Sequence, residues 1–444
     1  MMTKKEIAEN TDDSVEGAEP ERKEPRLRAV KGMHDILPLD QPIWDKIRKV
    51  TREVAGFYHF QRIDTPVVEQ AEVFEIAAGA TSEVVEKQMY IFRSGRDRLA
   101  LRPEATAGIA RAYIQHGLGH QMGHPVKLYF EGELFRHEQP QAGRYRAFHQ
   151  VDFEIISTEN DPVYDAQVIT VSYRIVEDLK IKNSVVQINS VGCRQCRPLY
   201  IRKLKSYYKD KTRKLCGDCR RRLVTNPLRV LDCKNETCRA LRKDVPNILD
   251  SICLVCKKHF QCMLELVEEV GVPYVLNPHL VRGLDYYTKT VFEIFTDGYE
   301  SAIAAGGRYD GLIGLLGGRE TPAVGAALGL ERLIEVIKAR EIRLASRSRP
   351  TVFLIHIGAT AKQKGLGLIE DFRKESIDVV ESLGKDSLNA QLKAADKAQS
   401  LIALILGQKE AYEDTIILRD MKTGAQETVP INKVISVIKK RIKS

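Results

Sequence analysis

The sequence predicts an α+β domain over residues 29–340, built on an antiparallel sheet flanked by helices and broken by a basic, cysteine-rich insert at about 193–262, then a small α/β domain over 351–444. Three observations carry this expectation. A chain of 444 residues exceeds what one ordinary core accommodates, so two or more domains are expected. Residues 126–135 and 148–156 alternate apolar and polar side chains on either side of a polar loop, the pattern of paired antiparallel strands. After residue 350, short aliphatic runs alternate with helical patterns.

Composition bounds the rest. With 43% hydrophobic and 29% charged residues the chain reads as soluble and globular. Its longest apolar run, Leu401–Leu406, is far too short to span a bilayer, and no N-terminal stretch reads as a secretory signal, so a cytoplasmic chain with no membrane partner is expected. The first 26 residues hold eight acidic and five basic side chains and, as sizeable aliphatics, only Ile7 and Val15; residues 1–28 are expected to be a disordered tail. Net charge is +9, yet Cys193 to Lys243 alone carries seventeen Lys/Arg against four Asp/Glu. So concentrated a block fits a polyanion better than a solvated helical face.

In chain order, Ile43, Ile47, Val50, Val54 and Phe57 predict an amphipathic helix over 41–58, and a second helix begins near Glu104. The strands at 126–135 and 148–156 enclose the loop His137–Arg146, long and polar enough to suggest function. On the second strand Val151, Phe153 and Ile155 share one face, while Gln150, Asp152 and Glu154 share the other, which suits a polar ligand better than a core. Strand-like segments return at 280–296, and a glycine-rich strand leads into a helix through Ile337. Residues 341–350 read as a linker. The final domain alternates strands at 352–357, 379–382, 401–406 and 415–419 with helices.

Two constellations carry chemistry. Cys193 and Cys196, Cys216 and Cys219, Cys233 and Cys238, and Cys253 and Cys256 form four close pairs, which outside an oxidising compartment read as ligands of one or two structural zinc sites before disulfides. Reduced buried thiols are the alternative, and any such metal is expected to be distant from catalysis. Leu280–Tyr287 sets Arg282, Asp285, Tyr286 and Tyr287 around Gly283, a grouping suited to an anionic reaction centre, though alone it equally describes a buried ion pair with two core tyrosines. Neither a Walker-type loop nor a dinucleotide fingerprint occurs.

The company of that octapeptide decides between these readings. Gly56 through Pro66-Val67-Val68, Phe135-Arg136-His137-Glu138 with its loop and following strand, and Gly325–Arg332 occur in the order of class II motifs 1, 2 and 3, with Leu280–Tyr287 between the last two. The set resembles the histidyl-tRNA synthetases, class IIa aminoacyl-tRNA synthetases, from about Lys31 to the C-terminus. The resemblance implies a class II catalytic domain, a C-terminal anticodon-binding domain, a homodimer paired through motif 1, and ligation of L-histidine to histidine tRNA with ATP and Mg2+. It implies that Arg136 and Arg282 are catalytic at the α-phosphate and substrate carboxylate. ATP would be held by Arg136, Glu138, Arg144 and Arg332; histidine by Glu104, Thr106, Arg136, Gln150, Glu154, Arg282, Tyr286 and Tyr287. Glu154 and Tyr287 would meet the imidazole nitrogens, so that no separate editing domain is needed. Gln141 is the implied contact to the tRNA acceptor end, and the basic insert would clamp the acceptor stem through its phosphates. Gln139 stands where related enzymes commonly carry Arg, a departure that bears on the extra guanosine of the family's tRNA. A non-catalytic paralogue, such as a regulatory subunit of ATP phosphoribosyltransferase, would have lost these arginines, and a zinc-ribbon RNA-binding protein would not need them.

Overall fold

The Gln41–Phe57 helix, expected from its apolar spacing, buries Trp44, Ile47, Val50 and Val54 and opens the first of two units, Met1–Leu344 and Ala345–Ser444. The computed structural model describes residues 27–79, 82, 84–141, 143–342, 351–382, 384 and 387–443. Of the tail expected at 1–28 and the linker expected at 341–350, all but residues 27–28 and 341–342 lie outside the described residues.

The first unit is organised by an eight-stranded sheet in the order Gln61–Arg62, Val126–Phe135, Ala147–Ile156, Ala323–Gly329, Tyr299–Arg308, Thr288–Thr296, Ser184–Ser190, Tyr274–Leu276. The six central strands are antiparallel. Both edge strands pair in parallel, so the sheet is mixed where an antiparallel one was expected. The edge strands are only two and three residues long, too short to leave a signature in the sequence. On the Ala147–Ile156 strand, Val151, Phe153 and Ile155 enter the main core with the Pro162–Asp178 helix, and the polar alternate residues face the other way.

One boundary differs from expectation. The strand anticipated from residue 280 starts at Thr288. Pro278 lacks a ladder donor, and the Asn277 side chain accepts the His279 N–H at 3.0 Å, so the chain turns there and leaves 280–287 irregular. Across the expected end of the insert at about 262, the Leu254–Glu269 helix sends Phe260, Met263 and Val267 into the main core, returning the chain to the sheet. A small sheet of Val68–Gln70, Asp97–Leu101 and Ile91–Ser94 was not anticipated from the sequence.

In the second unit the sheet runs Val379–Glu381, Val352–His356, Ile402–Leu406, Thr415–Asp420, Gln426–Pro430, with the first three strands parallel and the last two joined antiparallel. The central strands Val352–His356 and Ile402–Leu406 are buried throughout, as a strand covered on both faces requires. The last strand and the closing helix Ile431–Lys443 complete the unit.

Helix and sheet of the first unit are tied by a buried charge cluster. The Arg308 guanidinium, at the end of its strand, donates through Nε to both Asp165 oxygens at 3.1 and 2.9 Å and also reaches Asp161 and Asp310. His259 lies 3.4 Å from the same Asp165 carboxylate. Burial alone would push Asp165 up, but Arg308 and His259 outweigh it and hold the carboxyl well below the ordinary carboxylate range. A depressed carboxyl stabilises the fold fully above its unfolded value of about 3.9 and loses that contribution only as pH falls below it. Replacing Asp165 by Ala strands Arg308 in the interior and is expected to lower unfolding stability by about 3–5 kcal/mol. Urea denaturation at pH 7 checks this, and an unchanged midpoint would contradict it.

Candidate active site

One face of the central sheet floors a cavity of ≈ 320 Å3. Its floor is nearly free of side-chain bulk. The Tyr299–Arg308 and Ala323–Gly329 strands contribute Ala302, Ala304, Ala305, Gly325, Ala326, Ala327 and Gly329, which lets a planar ligand lie against backbone. One of these positions is strictly limited. A Cβ on Gly325, which pairs with Glu154 in the neighbouring strand, would fall inside the Glu154 carboxylate.

Carboxylates cluster at one side. Glu104, Asp152 and Glu154 are 5%, 2% and 1% exposed. Glu104 accepts the Ala107 N–H at 2.8 Å at the start of the Thr106–Gln115 helix, and the Tyr286 hydroxyl lies 3.5 Å from its other oxygen. Arg102 directs its guanidinium to the carbonyls of Thr65 (2.6 Å) and Glu133 (2.8 Å) instead of pairing with Glu104. Glu154 accepts the Thr106 hydroxyl at 2.7 Å on one oxygen and the Tyr309 hydroxyl on the other. Asp152 Oδ2 has no hydrogen-bond partner among the described residues. Burial pushes Glu104 up and drives Asp152 and Glu154 well above the ordinary range; for Asp152 the neighbouring Glu104 adds to the effect. These are the groups a ligand cation would stabilise in ionised form.

Guanidinium groups stand along the rest of the wall, interspersed with the carboxylates of Glu138, Asp232, Glu293 and Glu331. Arg136 is held by the Pro103 carbonyl at 2.8 Å and lies over the Phe148 ring. Arg144 lies 3.7 Å from Glu138. Arg332 donates to the carbonyls of Gly143 (3.0 Å) and Ala302 (2.7 Å), and burial, with crowding by Arg144 and Arg136, lowers it below the usual arginine range. Arg282 pairs with Glu293 on the Thr288–Thr296 strand, and its guanidinium lies 5.8 Å from the Tyr287 ring centroid. Crowded, partly desolvated cations gain most from a polyanion.

The loop between the two long strands is fixed from the motif 3 helix, Leu330–Ala339. Glu335 accepts from the Gly143 N–H (2.9 Å), the Tyr145 hydroxyl (2.7 Å) and the Tyr299 hydroxyl (2.7 Å). Burial together with Glu335 pushes the Tyr145 phenol up to about 12. Glu331 accepts the His149 N–H at 2.9 Å. At the tip, Gln141 and Arg144 exchange backbone hydrogen bonds at 3.2 and 2.8 Å.

The geometry thus brings Glu104, Thr106, Arg136, Glu138, Arg144, Gln150, Arg282, Tyr286, Tyr287 and Arg332 to one cavity. Glu154 lies beneath its wall, and Gln141 is exposed at the loop tip. Sequence reasoning did not assign roles to Asp152, Glu293, Tyr309 or Glu335. Asp152 was legible in the period-two alternation beside Gln150 and Glu154. The insert residues Arg229 and Asp232, which also line the cavity, were not, because only the fold brings them there.

Comparison with known proteins identifies the family. The family model described as histidyl-tRNA synthetase matches residues 32–196 and 220–333. The chain belongs to the histidyl-tRNA synthetase family. An anticodon binding domain model matches residues 351–441. A histidine–tRNA ligase of Dehalococcoides mccartyi is 43% identical over 415 residues, covering 93% of this chain and 99% of the relative. One from Desulforamulus reducens is 40% identical over 414 residues, covering 93% and 98%. The solved structure of an apo S. aureus histidyl-tRNA synthetase superposes with a TM-score of 0.78 at 30% identity, covering 93% of this chain and all of that one. Within the catalytic part, the histidyl-tRNA synthetase match is interrupted at 197–219, inside the basic insert.

Two substitutions test the carboxylate side. Gly325→Ala is expected to displace Glu154 and to weaken histidine binding at least tenfold by calorimetry, with unaltered binding as the contrary result. Because Asp152 is raised in the folded state, the folded chain holds more protons than the unfolded one between about pH 3.9 and the raised value, so ligand-free stability falls as pH rises through that window. Asp152→Asn removes that dependence and should raise the ligand-free Tm at neutral pH by at least about 2 °C. Thermal melts across pH 4–8 check both the shift and the slope.

Proposed function

We infer that this chain activates L-histidine with ATP to histidyl-adenylate and then transfers histidine to the 3′ end of histidine tRNA, releasing pyrophosphate and AMP. The observation that carries this reading is that one cavity brings the buried carboxyls of Glu104 and Asp152 together with four arginines, Arg136, Arg144, Arg282 and Arg332. Histidine is cationic at its ammonium and anionic at its carboxylate, and ATP is a polyanion. In this orientation the ammonium meets Glu104 and Thr106, and the carboxylate turns toward Arg136 and Arg282.

In the first step a histidine carboxylate oxygen attacks the α-phosphorus, the bond to the β-phosphate breaks, and pyrophosphate leaves. Two anions must approach, so the protein's work is neutralisation and alignment. Arg136 and Arg282 serve the α-phosphate, and Arg144 and Arg332 the outer phosphates. Magnesium enters with ATP, and Glu138 offers an oxygen ligand of the kind it prefers. Glu154 and Tyr287 read the imidazole. Each Glu154 oxygen accepts one hydroxyl and retains acceptor capacity, with Thr106 and Tyr309 fixing its orientation.

In the second step a hydroxyl of the terminal ribose attacks the activated carbonyl and AMP departs. Gln141, exposed beside Arg144, meets the acceptor end in this reading, the basic insert meets the stem phosphates, and the second unit, matched by an anticodon binding domain model, meets the anticodon. Exposed Phe57, Val67 and Val68 in the motif 1 segment support pairing of two copies as a homodimer. No described helix is long and apolar enough to cross a membrane, and a cytoplasmic setting follows from ATP and tRNA as substrates. The cysteines of the insert are candidate zinc ligands.

ATP–pyrophosphate exchange that depends on histidine tests the reading, and a pure, folded chain that does not exchange overturns it. Arg282→Lys replaces a bidentate fork with a point charge and should raise the activation barrier by about 2.7–4 kcal/mol, read as a fall in exchange rate. A parental rate would remove Arg282 from the assignment.

A further inference from the structure

The eight paired cysteines fold into two separate groups of four. Cys193, Cys196, Cys253 and Cys256 form one, and Cys216, Cys219, Cys233 and Cys238 the other; within each, all sulfur atoms lie within 4.8 Å of one another. The close Sγ···Sγ separations are 3.6, 3.9 and 3.9 Å in the first group and 3.8 Å in the second. None is a disulfide. A tetrahedron of thiolates with metal–sulfur bonds of about 2.3 Å has edges of about 3.8 Å, the spacing of these four pairs. Backbone donors already point at the sulfurs: Cys193 N–H to Cys196 (3.2 Å), Cys216 N–H to Cys238 (3.3 Å) and Cys219 N–H to Cys216 (3.4 Å). Such bonds stabilise thiolate charge. At Gly192, with φ +68°, a Cβ would lie 2.8 Å from Cys196 Sγ, so the first group also requires a glycine beside it.

Each group grips the Leu280–Tyr287 loop from its own side. The first stands where the insert leaves the Ser184–Ser190 strand and returns in the Leu254–Glu269 helix. Next to it, Arg197 donates to the carbonyls of Val191 (3.2 Å), Gly192 (3.3 Å) and Tyr287. The second group brackets the segment 220–232. From that segment Arg229 donates to the Gly283 carbonyl, and the Asn226 amide donates to Asp285. Val230 and Leu231 share one buried cluster with Cys219, Cys233, Cys238, Leu280 and Val281.

We propose that the chain carries two tetrahedral zinc–thiolate centres, one in each group of four cysteines, and that together they hold the Leu280–Tyr287 loop in its binding geometry. This departs from the expectation of a metal distant from catalysis: the second centre is linked through Arg229 and Asn226 to the cavity wall. Each thiol that binds releases its proton to solvent, so loading is favoured as pH rises. Zinc suits the role because four thiolates close its coordination shell and leave no position for chemistry. The metal content is independent of the proposed activity; the loop-holding role rests on that activity's assignment of histidine to this cavity.

Elemental analysis of the purified full chain is expected to give two zinc per chain. Less than half an equivalent in folded protein, or iron in place of zinc, overturns the proposal. Cys233→Ser and Cys253→Ser should each lose one zinc and keep the other, whereas loss of both from either variant contradicts two independent centres. Histidine binding by calorimetry should weaken about tenfold or more in Cys233→Ser, the scale expected for a group that orients a site from behind it. Unchanged affinity in a variant that has lost its zinc ends the loop-holding role. Should the variants fail to fold, zinc-depleted wild-type chain decides the same point, since zinc return must restore histidine affinity. Zinc-loaded wild type that binds no histidine would overturn the proposed function and leave the metal count standing.

Discussion

Three carboxyl groups buried beneath a ring of arginines impose the constraint on which the site depends. Neither side is stable by itself: Asp152 and Glu154 resist ionisation without a cation, and Arg332 is crowded by Arg136 and Arg144. The two sets come from different elements. Gln150, Asp152 and Glu154 project from alternate positions of one strand, while the arginines come from a loop, a turn and a helix around it. A ligand carrying both signs relieves both strains at once, and this is a preference that shape alone would not give.

That arrangement depends on a set of hydrogen bonds that fix the loop and strands around the cavity. Glu335 gathers hydrogen bonds from the long loop and the adjacent strand, and Glu331 holds His149, so the helix following the last strand sets the loop's position. Arg308 and Asp165 tie the same sheet to the helix behind it. The insert adds a wall from the opposite side through Arg229 and Asn226. The octapeptide at 280–287 is therefore both things its sequence allowed: Arg282 does sit in an ion pair with Glu293, and it also faces the cavity.

Much of this was legible because local periodicity and local chemistry coincide. Within the strand at 147–156, residues 150–155 alternate polar and apolar side chains, so its two faces could be read although both are buried toward its end. The motif residues Arg136, Arg144, Arg282 and Arg332 were recognisable by type and order. What escaped reading has physical causes. Edge strands of two or three residues have no period to detect, and a turn set by Asn277 and Pro278 interrupts a run that otherwise looks extended. Glu335 and Tyr309 resemble any helix-face carboxylate or core phenol until the fold supplies their partners. The pairing of cysteines 60 residues apart is likewise a property of the fold, since spacing alone allowed several groupings.

Gly325 has a consequence for how such a protein can change over generations. The space beside Glu154 is kept by a missing side chain, and every other amino acid would fill it. A lineage can therefore retune the surrounding arginines or the outer loop by small steps, but it cannot pass gradually through this position to a new substrate. Selection acts there as a fence and makes the choice of amino acid hard to drift away from.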